Sequence, residues 1–294
     1  MMPTKIILLG SQGIVGSELI KKLKDEHELY SFTHSDLDIT NKECLRGKFN
    51  DIKPDTIINA AAYTDVEDAE INQKLCYDVN YNAVTNIAQL CKEIKAHLVH
   101  FSTDYVFDGK KNKPYLENDI SSPLNTYGDS KNKADETIKK SNCRYTIFRT
   151  SWVYGSTGSN FVKKILEKAL KQNDLDIVSD QYGSPTSSNL IAEIIQMLIS
   201  TNGIKQPHSG EVFNLCPSGS TSWYEFAKKI INYASRIDRK YNIRICPIRS
   251  HEYKSKVNRP NYTVLSNQKL CSYFDIDIQN WEHYLESFLK RYIK

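Results

Sequence analysis

An α/β fold, with a doubly wound parallel sheet and a smaller α/β lobe appended, is what this sequence predicts. Short apolar runs alternate with helical stretches through residues 1–150, and a set of spaced glycines follows the first apolar run directly. The length, 294 residues, suggests about two domains, or one α/β domain with an extra lobe. A chain of that size buries about three quarters of its unfolded surface and needs no disulfide or metal to hold it together.

Lys5–Leu9 reads as a buried strand, and Ile14–Leu23 as a helix with apolar residues at Val15, Leu19, Ile20 and Leu23. Strand Leu29–Phe32, helix Asn41–Phe49 and strand Thr56–Asn59 are expected next. A long helix over Asn72–Lys95, strand Leu98–Ser102, helix Tyr127–Lys140 and strand Arg144–Phe148 complete the series. Strict alternation implies right-handed crossovers, hence parallel strands with helices on both faces. Beyond Ser151 the pattern loosens. Helices are expected near Asn160–Gln172, Asn189–Ser200 and Ser222–Ala234, punctuated by Tyr182-Gly183-Ser184-Pro185, Asn202-Gly203 and Cys216-Pro217-Ser218-Gly219. Residues 1–150 are therefore expected to form a nucleotide-binding domain. Residues 151–294 are expected to form mainly a substrate-binding lobe, with chain crossings back to the sheet. Ligands of open α/β sheets bind at the carboxyl ends of the strands, so the site is expected between the two parts.

Composition narrows the function. Lys+Arg 39 against Asp+Glu 35 gives a net charge of +4 with no long one-sign block, which excludes a basic nucleic-acid module. Runs such as Ile6-Ile7-Leu8-Leu9 are far short of the ~20 residues of a membrane span. The strand pattern begins almost at once and leaves no room for a signal peptide, and the sequon Asn261-Tyr262-Thr263 matters only in a secreted protein. Seven cysteines, an odd number without any CxxC pair, read as free thiols in a reducing compartment. A cytoplasmic protein is expected, with neither nucleic acid nor membrane as partner.

Gly10-Ser11-Gln12-Gly13-Ile14-Val15-Gly16 spaces its glycines GxxGxxG between the first strand and first helix. Gly10 allows the tight turn, Gly13 lets backbone N–H groups reach a pyrophosphate, and Gly16 lets the helix pack closely on the sheet. In that context the motif predicts a Rossmann-like sheet that binds a dinucleotide. The second strand ends Phe32-Thr33-His34-Ser35, with no carboxylate before Asp36 and Asp38. An acid there would select NAD; its lack tolerates a 2′-phosphate, and no Arg or Lys demands one. NADPH and NADH both stay open.

Tyr127 and Lys131 lie four residues apart, on one face of the expected helix. A phenol near pKa 10 is a poor acid or base at neutral pH, and a nearby cation is expected to pull it toward the working range. Such a pair exchanges a proton with a substrate oxygen while a nicotinamide exchanges hydride at the same carbon. Tyr224 and Lys228 share the spacing, but Tyr127 alone follows the fourth strand of the nucleotide-binding sheet.

Further motifs lie in order along the chain: Asn59-Ala60-Ala61-Ala62-Tyr63-Thr64, Ser102-Thr103-Asp104-Tyr105-Val106-Phe107-Asp108-Gly109 and Ser122-Pro123-Leu124-Asn125-Thr126-Tyr127-Gly128. Phe148-Arg149-Thr150-Ser151-Trp152-Val153-Tyr154, Asp180-Gln181-Tyr182-Gly183-Ser184-Pro185-Thr186 and Arg259-Pro260 follow. With the glycine turn, they make the chain resemble the extended short-chain dehydrogenase/reductase family, and within it the dTDP-4-dehydrorhamnose reductases, over nearly its whole length. The resemblance implies a catalytic triad of Thr103, Tyr127 and Lys131. Thr103 would bond the keto oxygen, Tyr127 would donate the proton, and Lys131 would hold the nicotinamide ribose and tune Tyr127. It implies a cofactor lining of Gly10, Gln12, Gly13, Ile14, Val15, Gly16, Asp38, Ile39, Ala61, Ala62, Tyr63, Thr64 and Phe101. It also implies substrate contacts at Val66, Asp104, Tyr105 and Trp152. Each has a plainer alternative: Thr103 as an ordinary strand-end residue, Tyr105 as a strand cap, Trp152 as core.

Some members of the family hold Mg²⁺ at a subunit interface through glutamates. Glu18 fits one position, but Asn189 stands where another is expected, which takes away charge that a hard cation needs and leaves Mg²⁺ doubtful. The oligomeric state, monomer or homodimer, stays open with it. Relatives that dehydrate the sugar carry Asp-Glu after the threonine, whereas here Asp104 precedes Tyr105. The Thr103–Gly109 and Gln181–Thr186 stretches fit reduction better than C4 epimerisation. The reading is NAD(P)H-dependent reduction of the 4-keto group of a dTDP-deoxysugar, with another nucleotide-sugar enzyme or a non-catalytic regulatory subunit as alternatives. From Lys228 to Arg259 ten Lys/Arg face only Asp238 and Glu252. That excess suits a nucleoside diphosphate, with Arg259 as the expected pyrophosphate contact, although a solvated surface accounts equally well for most of it.

Overall fold

The computed structural model describes residues 3–200 and 210–293. Five strands, β1 (Lys5–Leu9), β2 (Glu28–Phe32), β3 (Thr56–Asn59), β4 (His97–Thr103) and β5 (Arg144–Thr150), are joined by an edge strand, Gly210–Asn214. They form one parallel six-stranded sheet in the order edge strand–β5–β4–β3–β1–β2. β1 lies between β2 and β3, so the chain reverses its direction of progress there, and a crevice opens at the carboxyl ends of β1 and β3. Register aligns those ends: Leu9 faces Phe32 on one side and Asn59 on the other.

The strands are apolar along their whole length because both faces are covered. Ile6, Leu8, Val99 and Phe148 pack beneath α1 (Ile14–Leu23) and the helix Ser188–Ser200. Ile7, Leu9, Leu98 and Ile147 face α2 (Lys42–Ile52) and the helices Ala83–Ile94 and Thr126–Lys140. The second half builds its own apolar cluster from the helices Phe161–Ala169, Trp223–Ile237 and Trp281–Tyr292, around Tyr154, Phe226 and Leu285. It also carries a parallel pair, Asp174–Val178 with Arg244–Ile248. All seven cysteines are free thiols, four of them buried.

Several elements differ from their expected form. The long helix over Asn72–Lys95 is a helix Gln73–Tyr77, one wider π turn Asp78–Asn82, and the helix Ala83–Ile94. A short helix, Val66–Ile71, precedes it, started by the Asp65 carboxylate accepting from Asp68 N at 3.0 Å. α2 begins one residue later than expected, with Asn41 as its N-cap accepting from Cys44 N at 3.1 Å. The helices Gln268–Phe274 and Trp281–Tyr292 were not expected, although Asn280 starts the latter in ordinary fashion by accepting from Glu282 N. The Asn202-Gly203 punctuation lies outside the described residues.

One buried ion pair fixes the helix Thr126–Lys140 to the sheet. Arg149 on β5 reaches Asp135 at 3.4 Å, and Ser102 on β4 donates to the same carboxylate oxygen at 2.9 Å. Arg149 also donates to the Glu117 carbonyl at 3.1 Å and lies over the Phe107 ring. Both ions are fully enclosed, so removing one leaves the other uncompensated. Arg149→Met is expected to lower unfolding stability by about 3–5 kcal/mol in urea titrations, without loss of helical signal in the native baseline.

Candidate active site

The glycine turn is as tight as its spacing requires. Gly10 has φ +78°, and a Cβ there would lie 2.6 Å from Ala61 N, so the turn after β1 touches the turn after β3. A Cβ on Gly16 would lie 2.2 Å from the Gly10 carbonyl oxygen. α1 begins at Ile14 with Gly13 as its N-cap; no side chain caps it and its first turn holds no acid. The first N–H groups of α1 are left for an outside acceptor, beside exposed Gln12 and Gly13, which suits the pyrophosphate of a dinucleotide. Ile14 lies under the loop that carries Gly155 and Gly158. At the end of β2, Asp36 is turned onto its own loop by Thr33, whose N and Oγ1 donate to it at 2.9 and 2.7 Å. Asp38 accepts from Thr40 N and Oγ1, which holds its carboxyl below the usual range. The Ile39 side chain is in the core, as is that of Phe101, which packs against Phe148.

The Ala61–Thr64 stretch runs past the cradle with Ala62 and Thr64 exposed. Asn80, buried in the π turn, clamps it: Oδ1 accepts from Tyr63 N at 2.8 Å, and Nδ2 donates to Tyr63 O at 3.0 Å and to Ser130 Oγ at 3.1 Å. Ser130 in turn donates to the Tyr127 carbonyl at 2.7 Å. One amide thus connects the cofactor-side loop to the helix that carries Tyr127 and Lys131. Sequence reasoning missed Asn80, since an asparagine inside a long helical pattern gives no signal; π turns concentrate at functional sites.

Thr103 ends β4, and the helix Thr126–Lys140 comes up against it because Gly128 lies on the Tyr105 backbone. A Cβ at 128 would be 2.3 Å from the Tyr105 carbonyl oxygen. Asn125 starts the helix by accepting from Gly128 N at 2.8 Å, and Glu70 accepts from Thr126 N and Oγ1. Tyr127 is half-buried and its ring meets that of Tyr105 edge-on, with centroids 6.0 Å apart. The Thr103 hydroxyl, which donates to Asp104 and accepts from Tyr105 N, lies close enough to the Tyr127 phenol to act on its titration. Lys131 is buried, with Nζ 3.1 Å from His100 Nε2. The structure therefore sets Thr103 beside Tyr127 at the carboxyl end of β4, with Lys131 one helical turn beyond Tyr127 and directed at His100.

The expected lowering of the Tyr127 pKa is not found. Burial pushes the phenol well up, the Thr103 hydrogen bond offsets part of this, and Asp104, Tyr105 and Cys76 add to it. Lys131 faces His100 and is itself pushed down, to about 8, mainly by burial.

On the other side of Thr103, Asp104 is buried and accepts from Thr103 Oγ1 at 3.0 Å and Thr263 Oγ1 at 2.5 Å. Burial raises its pKa to about 7, against the pull of those two hydroxyls. Arg259 donates to Tyr105 OH and to Glu67, both at 3.0 Å, while Ser255 donates to the same Glu67 oxygen at 2.6 Å. Glu67 directly follows Val66, so the helix Val66–Ile71 and the 255–259 segment close over Tyr105 from two sides. Lys228, Lys229, Lys240 and Arg244 pair with Glu225, Glu282, Asp238 and Asp174 on the lobe surface, and this part of the basic excess does not converge on the site. Trp152 has φ +48° and stacks one face on Trp223, with centroids 3.4 Å apart, while Gly183 lies against its edge. Glu18 accepts from Lys21 and Ser156, and Asn189 donates to Glu193. Among the described residues no three His, Cys, Asp or Glu converge.

Comparisons with known proteins agree with this geometry. A family model described as the RmlD substrate binding domain matches residues 4–294. The spore coat polysaccharide biosynthesis protein SpsK of Bacillus subtilis is 35% identical over 288 residues, covering 98% of this chain and 97% of that protein. A dTDP-4-dehydrorhamnose reductase of Burkholderia thailandensis is 34% identical, with 95% and 96% covered. The crystal structure of dTDP-4-dehydrorhamnose reductase from Bacillus anthracis in complex with NADP superposes with a TM-score of 0.90 at 33% identity, covering 99% of this chain and all of that one. A match that runs from the first strand to the last helix leaves no part of the architecture outside it: the chain belongs to the dTDP-4-dehydrorhamnose reductase family, that of the RmlD substrate binding domain.

Proposed function

We propose that the chain reduces the 4-keto group of a nucleotide-activated deoxysugar at the expense of NAD(P)H. Its substrate is dTDP-4-dehydro-L-rhamnose and its product dTDP-L-rhamnose, a precursor of cell-surface polysaccharide. What supports this reading is Thr103 beside Tyr127, with Lys131 one helical turn on, in a chain of this family that also carries the glycine cradle. The cradle of Gly10, Gly13 and Gly16, with the Ala61–Thr64 loop and Lys131, would hold the dinucleotide. When bound, its dihydronicotinamide supplies the hydride.

The remaining chemistry falls to the side chains. A phenol with a raised pKa stays protonated at neutral pH, so Tyr127 serves as the acid toward the keto oxygen. Thr103, whose hydroxyl donates to Asp104, stands beside that phenol and would help to orient the keto oxygen toward it. Tyr105, Val66 and Trp152 offer the sugar its contacts, and Arg259 is the group for the diphosphate, which would compete with Glu67 for it. Asp36 and Asp38 spend their oxygens on Thr33 and Thr40, so neither is presented to a ribose 2′-hydroxyl as an NAD-selecting acid would be.

Purified protein given NADPH and dTDP-4-dehydro-L-rhamnose is expected to bleach the cofactor's near-ultraviolet absorbance and yield dTDP-L-rhamnose; binding of NADPH without turnover would turn the reading to a regulatory subunit. Tyr127→Phe is expected to lower kcat by about 10²–10⁴-fold with NADPH affinity kept, checked by kinetics and fluorescence titration. Asn80→Ala is expected to weaken NADPH binding by about tenfold, because one lost clamp at a buried site is worth about 1–3 kcal/mol. Asp104 titrates near 7 when folded and near 4 when unfolded, so the native state holds the extra proton between these values and stability falls as pH rises through that window. Asp104→Asn is expected to flatten this slope in denaturant titrations at a series of pH values.

A further inference from the structure

The Thr103 hydroxyl is wanted by the substrate and is already in use. The Tyr105 N–H can only donate and lies 3.1 Å from Thr103 Oγ1, so it takes one lone pair. Asp104 Oδ1 is 3.0 Å from the same oxygen. A hydroxyl has one proton and two lone pairs, so the state of Asp104 decides what is left. An ionised Asp104 has nothing to donate and takes the Thr103 proton, which leaves Oγ1 with only a lone pair for the substrate. A keto oxygen also only accepts, and acceptor then meets acceptor. With a proton on Asp104 Oδ1 the bond reverses: the carboxyl donates to Oγ1, and the Thr103 proton is free for the keto oxygen.

The other carboxyl oxygen decides where that proton goes. Oδ2 lies 2.5 Å from Thr263 Oγ1. The one other acceptor for that hydroxyl, the Tyr182 carbonyl, is 3.4 Å away and already accepts from Thr263 N at 2.8 Å. Thr263 therefore donates to Oδ2, and a carboxyl proton belongs on Oδ1, facing Thr103. Thr103 is 5% exposed, and Asp104 and Thr263 are 2% exposed, so water does not substitute for these contacts.

We propose that Asp104 is a positioning residue which, when protonated, turns the Thr103 hydroxyl toward the keto oxygen and, when ionised, turns it away, with Thr263 directing the proton to the side that matters. This rests on the reductase reading of the site. Both oxygens of Asp104 are engaged by threonines, so it acts on the substrate through Thr103. Among the described residues, the titratable groups that face it are the phenols of Tyr105 and Tyr127 and the Cys216 thiol beyond the edge strand. Arg259 stops at Tyr105 OH. The two hydroxyls and the nearby backbone N–H groups favour the carboxylate, burial opposes them, and the balance rests near 7. Both arrangements of Thr103 are thus populated around neutral pH.

The pH dependence of kcat/KM, which reports groups of the free enzyme, tests the switch. The wild type is expected to lose activity with an alkaline limb beginning near pH 7, about tenfold per pH unit. Asp104→Asn puts a permanent donor within reach of Thr103 and is expected to give no such limb, so that it outruns the wild type at about pH 9. Thr263→Val removes a donor that favours the carboxylate and is expected to move the limb upward by about one pH unit, with NADPH affinity unchanged. A wild type without the limb, a limb that persists in Asp104→Asn, a variant slower than the wild type throughout, or a limb unmoved by Thr263→Val each overturns the proposal. Infrared difference spectra of wild type against Asp104→Asn give a readout that needs no turnover. A carboxylic-acid C=O band is expected at about pH 6 and its loss at about pH 8.5, and the absence of that band at the lower pH overturns the proposal. A protein that shows the band but oxidises no NADPH with the ketosugar supports the proton on Asp104 and overturns the reductase reading instead.

Discussion

The site depends on one backbone contact, the first turn of the helix Thr126–Lys140 lying against the carbonyl of Tyr105. Gly128 permits that approach, since any side chain at 128 meets the carbonyl oxygen at 2.3 Å. Three consequences follow from it. Tyr127 reaches Thr103, Lys131 comes down on His100 one turn later, and Asp135 comes down on Ser102 and Arg149 one turn after that. The helix is thus held to β4 and β5 by polar contacts of increasing depth, each four residues from the last. Hydrophobic packing at Ala134 and Ile138 completes the attachment.

The electrostatics of the site come from enclosure more than from charge pairing. Tyr127 and Asp104 are raised and Lys131 is lowered, each with burial as the leading cause. Groups moved in these directions all tend toward neutrality. The charged residues stand at the rim of the site, where Arg259 and Glu67 face each other at 3.0 Å.

The fold was largely legible because its signals are local. Apolar runs mark β1, β3 and β4, and the glycine spacing places the cradle within a few residues of the N-terminus. Tyr127 and Lys131 could be picked out because their i, i+4 spacing follows the fourth strand, whereas Thr103 was singled out only by the family resemblance. What escaped is nonlocal or depends on shape. Asn80 acts through a π turn that helical periodicity does not reveal, and His100 reads as a polar interruption in an apolar run until Lys131, 31 residues on, is brought beside it. The shift of Tyr127 was misjudged because spacing shows that a cation is near but not which way its nitrogen turns. Arg259 was recognised as a candidate, yet its partners Glu67 and Tyr105 lie 192 and 154 residues away.

The edge strand Gly210–Asn214 and the helix Ser188–Ser200 belong to the sheet although they arise late in the chain. During synthesis, the first 150 residues must wait for them with the outer hydrogen-bonding groups of β5 bare and the apolar side of α1 uncovered. Such a nascent intermediate has an open margin ready to pair with other chains. A gene split at the apparent boundary between the halves would produce that intermediate permanently, so the two parts are coupled in folding however separate their tasks.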